Sequence, residues 1–321
     1  MKIIVVLLGR IGDMILATPM FSEIKKRYPD CELHVLAGRN NFNVLTNNAN
    51  VNKILVYHKS FFSILKTFFE LKKQKYDYLV DPKDHFSRES KMISFLSKAK
   101  TTIGFNRIGS NSFDVSISPQ EENSQLHYVQ RCIKALEYLK INLHEQIPRP
   151  ELFLSPISEE YVDNELSGIS DYLLINVSAS SDYRMWVIDK WIEFIKIISE
   201  FEEKIIFLYQ SVNKELVNHI IKNSSKVIGV QSDNIQDAFS IVRRAKLLVT
   251  PDTSLVHIAS AFNIPVLGLY ICNEANFNKF YPLSDISEVV KSPDEVVGIK
   301  SISVNQLYEG YLRIIEKIRP E

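Results

Sequence analysis

Short apolar runs alternate with longer amphipathic segments from one end of the chain to the other. This pattern predicts βα units and parallel sheets, because strands covered on both faces read as continuous apolar runs while their crossover helices carry a single apolar stripe. In the first half, Lys2 to Leu8, Glu32 to Ala37, Lys53 to Val56 and Tyr78 to Asp81 read as strands, with a weaker one near Thr102 to Phe105. Helices fill Asp13 to Arg27, Ser60 to Gln74, Arg88 to Lys98 and Gln125 to Leu139. In the second half, strands at Tyr172 to Val177, Lys204 to Tyr209, Lys226 to Val230, Leu247 to Thr250 and Val266 to Tyr270 alternate with helices near 189–200, 213–223, 234–244 and 254–262. The stretch from Asn142 to Asp171 holds Pro148, Pro150 and Pro156 without a sustained period, which marks a domain boundary. The expected organisation is two open α/β domains, 1–155 and 156–302, and a tail of 303–321 that forms an amphipathic helix.

Length and charge add two constraints. With 321 residues the chain can bury two cores, and no apolar run approaches the roughly 18–20 residues of a membrane span. The run Ile3 to Leu8 is too short for a signal peptide. Cys31, Cys132 and Cys272 are odd in number and lack CxxC spacing, so reduced thiols in a cytoplasmic protein are expected, with neither disulfides nor a zinc site. The net charge of zero divides into +8 for residues 1–150 and −8 for the rest. A basic first half suits an anionic partner, a phosphorylated substrate or a membrane surface, although attraction between domains or chance gives the same numbers.

Ligands of open parallel sheets bind beyond the carboxyl ends of the strands, which directs attention to four loops. The first, GRIGD, has Gly9 and Gly12 for a tight turn and close approach, without the GxGxxG of a dinucleotide site. Asp13 at the first helical turn could accept a proton from a hydroxyl or serve only as a helix cap, and Arg10 could meet an anion or lie in solvent. The second, DPKDHFSR, packs five ionisable side chains after a strand, and Lys83, His85 and Arg88 could hold an anionic acceptor. In the third, NVSASSDYRMW, Ser178, Ser180 and Ser181 suit phosphate or sugar, Arg184 could neutralise a departing diphosphate, and Trp186 and Trp191 read as core anchors rather than a stacking platform. The fourth, PDTSLVH, offers Asp252 and Thr253 as capping oxygens, with the amides of Ser254, Leu255 and Val256 pointing out of a helix start that favours phosphate. His257 adds a donor one turn later, or is satisfied inside the fold. Separately, SFFSILKTFFELKKQK sets Phe61, Leu65 and Phe68 on one helical face with Phe62 and Phe69 beside it, ahead of Lys72, Lys73 and Lys75. That face fits a core or an anionic membrane surface.

These segments together resemble the lipopolysaccharide heptosyltransferases, glycosyltransferase family 9. GRIGDMILATPMFSEIKKRYP resembles the family's N-terminal signature, YDYLVDPKDHFSRESKMISFLSKAKTTIGF its YD-strand segment, and RMW with PDTSLVHIASAFNIPVLGLY its donor-site motifs. The resemblance implies a GT-B fold: two Rossmann-like domains facing across a cleft, acceptor-binding first and donor-binding second, with the C-terminal helix crossing back to the first. It implies inverting, metal-independent transfer of a sugar, typically from ADP-heptose, to a lipid-linked lipopolysaccharide or lipooligosaccharide core acceptor. Asp13 would be the general base and Arg184 the stabiliser of the leaving diphosphate. Asp252, Thr253, His257 and Glu215 would bind the donor; the loop chemistry adds Ser178, Ser180 and Ser254 to that side and assigns Arg10, Gly12, Lys83, His85 and Arg88 to the acceptor. No cofactor, metal or nucleic acid is implied, and the setting implied is cytoplasmic, peripheral at the inner face of the membrane.

Three departures accompany the resemblance. Ser254 stands where the family usually has Gly, Val187 replaces a usual proline, and ICNEANFNKFYP only loosely matches the family's glycine- and threonine-rich loop. A nucleotide-sugar 2-epimerase of similar fold and a catalytically silent nucleotide-sugar binding protein are the competing readings.

Overall fold

A computed structural model of the chain describes residues 1–202, 204–222 and 226–319, with the backbone alone at Phe61 and Phe62. The end of the helix expected over 213–223 and the last two residues of the tail therefore lie outside the described residues. The chain divides into two units, Met1–Phe153 with Asn278–Tyr281, and Leu154–Phe277 with Pro282–Glu321.

The first unit runs β1 (Lys2–Leu7), α1 (Ile11–Arg27), β2 (Glu32–Gly38), β3 (Lys53–Tyr57), α2 (Phe61–Gln74), β4 (Tyr78–Val80), α3 (Arg88–Ser97), β5 (Thr101–Gly104), β6 (Val115–Ser116) and α4 (Tyr128–Lys134). Its sheet has the order β3-β2-β1-β4-β5-β6, with every ladder parallel. Five consecutive buried residues, Ile3 to Leu7, make β1 the centre of this sheet. α1 tolerates Pro19 in its interior because the carbonyl that loses its amide partner, Ile15 O, accepts instead from the Thr18 hydroxyl at 2.7 Å. On α2 the buried positions are Thr67 and Leu71, while Leu65 and Phe69 are exposed. The expected face of Phe61, Leu65 and Phe68 is thus not the core face at Leu65, and the side chains of Phe61 and Phe62 lie outside the described residues.

The second unit runs α5 (Pro156–Glu165), β7 (Tyr172–Ile175), α6 (Ile188–Ile198), β8 (Ile205–Tyr209), α7 (Lys214–Ile221), β9 (Val227–Gln231), α8 (Ile235–Arg243), β10 (Ala245–Pro251), α9 (Ser254–Phe262), β11 (Val266–Tyr270), α10 (Glu274–Phe280), β12 (Ser287–Lys291) and α11 (Val304–Ile318). Residues 278–280 of α10 count with the first unit. The parallel sheet has the order β12-β11-β10-β7-β8-β9. Both units therefore repeat one doubly wound order, in which the first and fourth strands lie side by side and the chain reverses its direction of progress between them. Trp186 and Trp191 are core anchors, meeting edge to face with centroids 4.9 Å apart against Phe194.

Several elements differ from the sequence expectation. The terminal helix, expected to cross back to the first domain, instead seats Leu307, Tyr311 and Ile314 in the second unit's core beside α6, β11 and β12. Its apolar stripe is matched there, and a capping box in which Ser303 and Gln306 exchange bonds at 3.2 and 2.8 Å sets its start. β6 and β12 are additional edge strands, one of two residues and the other with Val290 as its one buried position, too short or too polar for an apolar run to reveal. The helix expected over Gln125 to Leu139 is shorter, α4 followed by a 3₁₀ turn at Glu137–Leu139.

Candidate functional site

In the first unit, β1 and β4 are the neighbours at which the sheet's winding reverses, and the loops leaving them are GRIGD and DPKDHFSR. Asp13 lies at the third position of α1, half-buried, and its Oδ2 accepts from the Arg10 amide at 2.9 Å. This is a helix-capping contact that leaves Oδ1 available. Gly9 makes room for the carboxylate, since a Cβ there would stand 2.5 Å from Asp13 Oδ2. Gly12 lies in the first turn of the same helix, and the Arg10 side chain is exposed. Past β4, Asp81 is buried and folds the loop back by accepting from the Lys83 amide at 3.1 Å. Burial pushes its carboxyl up against the opposing pull of Ser90 and that amide. Lys83 and His85 line a small pocket with Asp81, Ser87, Ser90 and Lys91, whereas Arg88 is exposed at the first turn of α3.

Sequence inspection passes over Asp84 and Arg131, which form a buried ion pair at 3.1 Å. Burial pushes the Asp84 carboxyl up, but the His85 hydrogen bond and the charges of Arg131 and Lys279 outweigh it and hold the group below its ordinary value. The segment Asn278–Tyr281 joins this unit through α4: His127 Nε2 meets Tyr281 O at 3.2 Å, their rings lie 4.7 Å apart, and Asn278 donates to Gln125 at 3.3 Å. With the Val129 amide donating to Nδ1 at 3.4 Å, the neutral imidazole that carries its proton on Nε2 satisfies both nitrogens.

Burial accordingly holds His127 down to about 4, with Arg131 acting the same way against the Tyr281 bond. A group depressed on folding contributes stability that is full above its unfolded pKa, about 6.5, and is lost as pH falls toward the folded one. The expected loss between those limits is on the order of 3 kcal/mol. Denaturant titrations across that window check it: His127→Gln should flatten the dependence, and an unchanged slope would reject the assignment.

In the second unit, the reversal falls between β7 and β10, and their loops meet there. Asn176, buried directly after β7, ties them together: its Nδ2 donates to Thr250 Oγ1 at 3.0 Å and Thr253 Oγ1 at 3.4 Å, and its Oδ1 accepts from the Ser178 amide and hydroxyl at 3.1 and 2.8 Å. A lone amide side chain at the end of an apolar strand was the available signal for it. Arg184, in the 3₁₀ turn Asp182–Arg184, sends Nε to Ser181 Oγ at 3.0 Å and Nη2 to Ser180 Oγ at 3.2 Å. Its Nη1 reaches Asp252 O at 3.1 Å and Asp252 Oδ2 at 3.4 Å. Gly298 supports this turn from below with φ +68°, and a Cβ there would stand 2.2 Å from Tyr183 O.

The fourth loop differs from its expected capping. Asp252 is buried and its carboxylate faces Arg184 and Asn276, 3.2 Å away, while Thr253 occupies the N-cap of α9 without capping it through its side chain. The Val256 amide, expected to be free, donates to Thr253 O at 3.2 Å. The anion-favouring end therefore rests on Ser254 and Leu255. His257 is buried on the second turn. Glu215 is exposed at the first turn of α7, beyond the neighbouring strand β8, apart from the Arg184 network.

Two doubly wound units, each with its polar loops gathered at the point of reversal, make up the GT-B fold. The model of glycosyltransferase family 9 (heptosyltransferase) matches residues 64–300. The chain belongs to that family and is a glycosyltransferase. Asp13 lies ahead of the matched interval. Over 297 residues the chain is 23% identical to the lipopolysaccharide core heptosyltransferase OpsX of Haemophilus influenzae, covering 90% of this chain and 83% of that one. Among solved structures, the ADP-heptose lipopolysaccharide heptosyltransferase II of E. coli superposes with a TM-score of 0.81 at 18% identity, covering 99% of each chain. E. coli heptosyltransferase WaaC with ADP-2-deoxy-2-fluoro heptose gives 0.75 at 15% identity, covering 99% of this chain and all of the other. Among the described residues, no helix is long and apolar enough to cross a membrane.

Proposed function

We propose that this protein is an inverting heptosyltransferase that moves heptose from an ADP-activated donor to a lipid-linked lipopolysaccharide core sugar. The observation that carries the reading is the Arg184 network over the open start of α9, a fixed positive site for a diphosphate in a chain of this family. Asp13 takes the proton of the acceptor hydroxyl as that oxygen attacks the anomeric carbon. The bond to the diphosphate breaks on the opposite face, and the charge left on the nucleotide is met by Arg184 and the α9 amides without a metal. Ser178, Ser180, Asp252, Thr253, Ser254, His257 and Glu215 belong to the donor side, and Arg10, Gly12, Lys83, His85 and Arg88 to the acceptor side. OpsX and the two E. coli relatives, by their names, support the substrate class.

A screen of ADP-, UDP-, GDP- and CMP-sugars for protection against thermal unfolding tests the donor. At a hundredfold excess over Kd, the matching nucleotide sugar should raise the melting temperature by roughly 5–10 °C. Selective protection by a UDP- or GDP-sugar would overturn the ADP assignment. The lipid of the acceptor brings the enzyme to the inner face of the cytoplasmic membrane, where Leu65 and Phe69 stand exposed among Lys66, Lys72 and Lys73. Binding to anionic vesicles that fades with salt is the matching observation, and its absence at low salt counts against membrane contact.

A further inference from the structure

The segment Asn278–Tyr281 carries a lysine that neither the ion pairs of the first unit nor the transfer described above employs. Lys279 is half-buried, its Nζ 5.1 Å from the ring centroid of Tyr128 and 5.2 Å from that of Phe280. Among the described residues it enters no hydrogen bond and no ion pair. The charges of Asp84 and Asp13 favour its ammonium, and that of Arg131 opposes it. Those carboxylates are already engaged, Asp84 with Arg131 at 3.1 Å and His85 at 3.3 Å, Asp13 with the Arg10 amide at 2.9 Å. Burial pushes the ammonium down, with Asp84 as the chief opposing influence.

A cation withdrawn from water, in contact with ring faces while the carboxylates that favour it are bonded elsewhere, is under-compensated, and an oxyanion that reached it would restore the lost solvation. The ammonium has three donors and no acceptor, so it suits phosphate or carboxylate better than a neutral hydroxyl. It is also held in place: Asn278 and Tyr281 are bonded to Gln125 and His127, and the Phe280 and Tyr128 rings pack 5.8 Å apart.

We propose that Lys279 is a substrate-binding residue that takes an oxyanion of the acceptor. The proposal rests on reading the Asp13 turn as the acceptor side. The oxyanion is an acidic group on the acceptor, a phosphate or a carboxylate.

The test is a cycle between the residue and the ligand group, with a deacylated lipopolysaccharide core oligosaccharide as acceptor. It is used intact, after phosphatase treatment and after reduction of its carboxyl groups, and ADP is titrated calorimetrically in parallel. Lys279→Met should raise the KM of the intact acceptor roughly ten- to hundredfold and leave the Kd of ADP unchanged, and Lys279→Arg should recover most of the loss. In the wild type, removing the responsible acceptor group should cost the same factor, and in Lys279→Met nothing further. A larger phosphatase effect identifies phosphate, a larger reduction effect carboxylate, and a change confined to ADP overturns the proposal. If no arm differs between wild type and Lys279→Met, the proposal fails. Should that variant fold poorly, Lys279→Gln carries the same comparison. Acceptor binding is read directly as well, so an active Asp13→Asn enzyme would remove the base assignment and leave the Lys279 result readable.

Discussion

Asp13→Asn and Asp13→Ala are expected to lower kcat by roughly 10²–10⁴ while ADP binding persists. The turn is built around this carboxylate: one oxygen is fixed by the Arg10 amide, the other is left open, and Gly9 withdraws its Cβ from the space. Asparagine keeps an oxygen for the amide but cannot take a proton, so it should lose rate without losing fold. Alanine also removes the capping bond and should melt earlier, by the equivalent of about 1 kcal/mol. Steady-state kinetics with parallel melting curves separate the two roles. Full transfer activity in Asp13→Asn would leave only the capping role, and the base would have to be sought elsewhere.

Arg184→Met should cost roughly 10²–10³ in kcat, the scale of losing a preorganised donor to developing charge. Arg184→Lys should resemble methionine more than wild type, because an ammonium cannot reach Ser180, Ser181 and Asp252 from three sides as the guanidinium fork does. Either change also takes a charged partner from the buried Asp252 carboxylate and should lower the melting temperature. The double variant Arg184→Met, Asp252→Asn removes both charges of the pair. It should recover stability and leave the rate low. If it recovered the rate as well, Arg184 would be a structural partner of Asp252 and no more.

Much of the fold was legible because strands covered on both faces leave unbroken apolar runs, and their polar exits stand out against them. GRIGD, DPKDHFSR, NVSASSDYR and PDTSLVH were visible for that reason, and the sheet order brings them together in pairs, two in each unit. What stayed hidden depends on distant partners. Nothing near Lys279 in sequence says that Asn278–Tyr281 will join a unit formed by residues 1–153. The amphipathic period of α11 predicts a buried stripe but not which core receives it. Likewise, Asp252 and Thr253 carry the side chains of a helix cap, and local chemistry alone cannot reveal that Arg184 and Asn176 claim their oxygens first.

The posture of Arg184 also bears on how donor binding divides between heat and disorder. Its long side chain is already held by two serines and the Asp252 backbone, so its rotational freedom is lost when the chain folds and not when a ligand arrives. Association with ADP should therefore show little unfavourable entropy from this residue. A variant that loosens the serines, such as Ser180→Ala with Ser181→Ala, would transfer that ordering to the binding step.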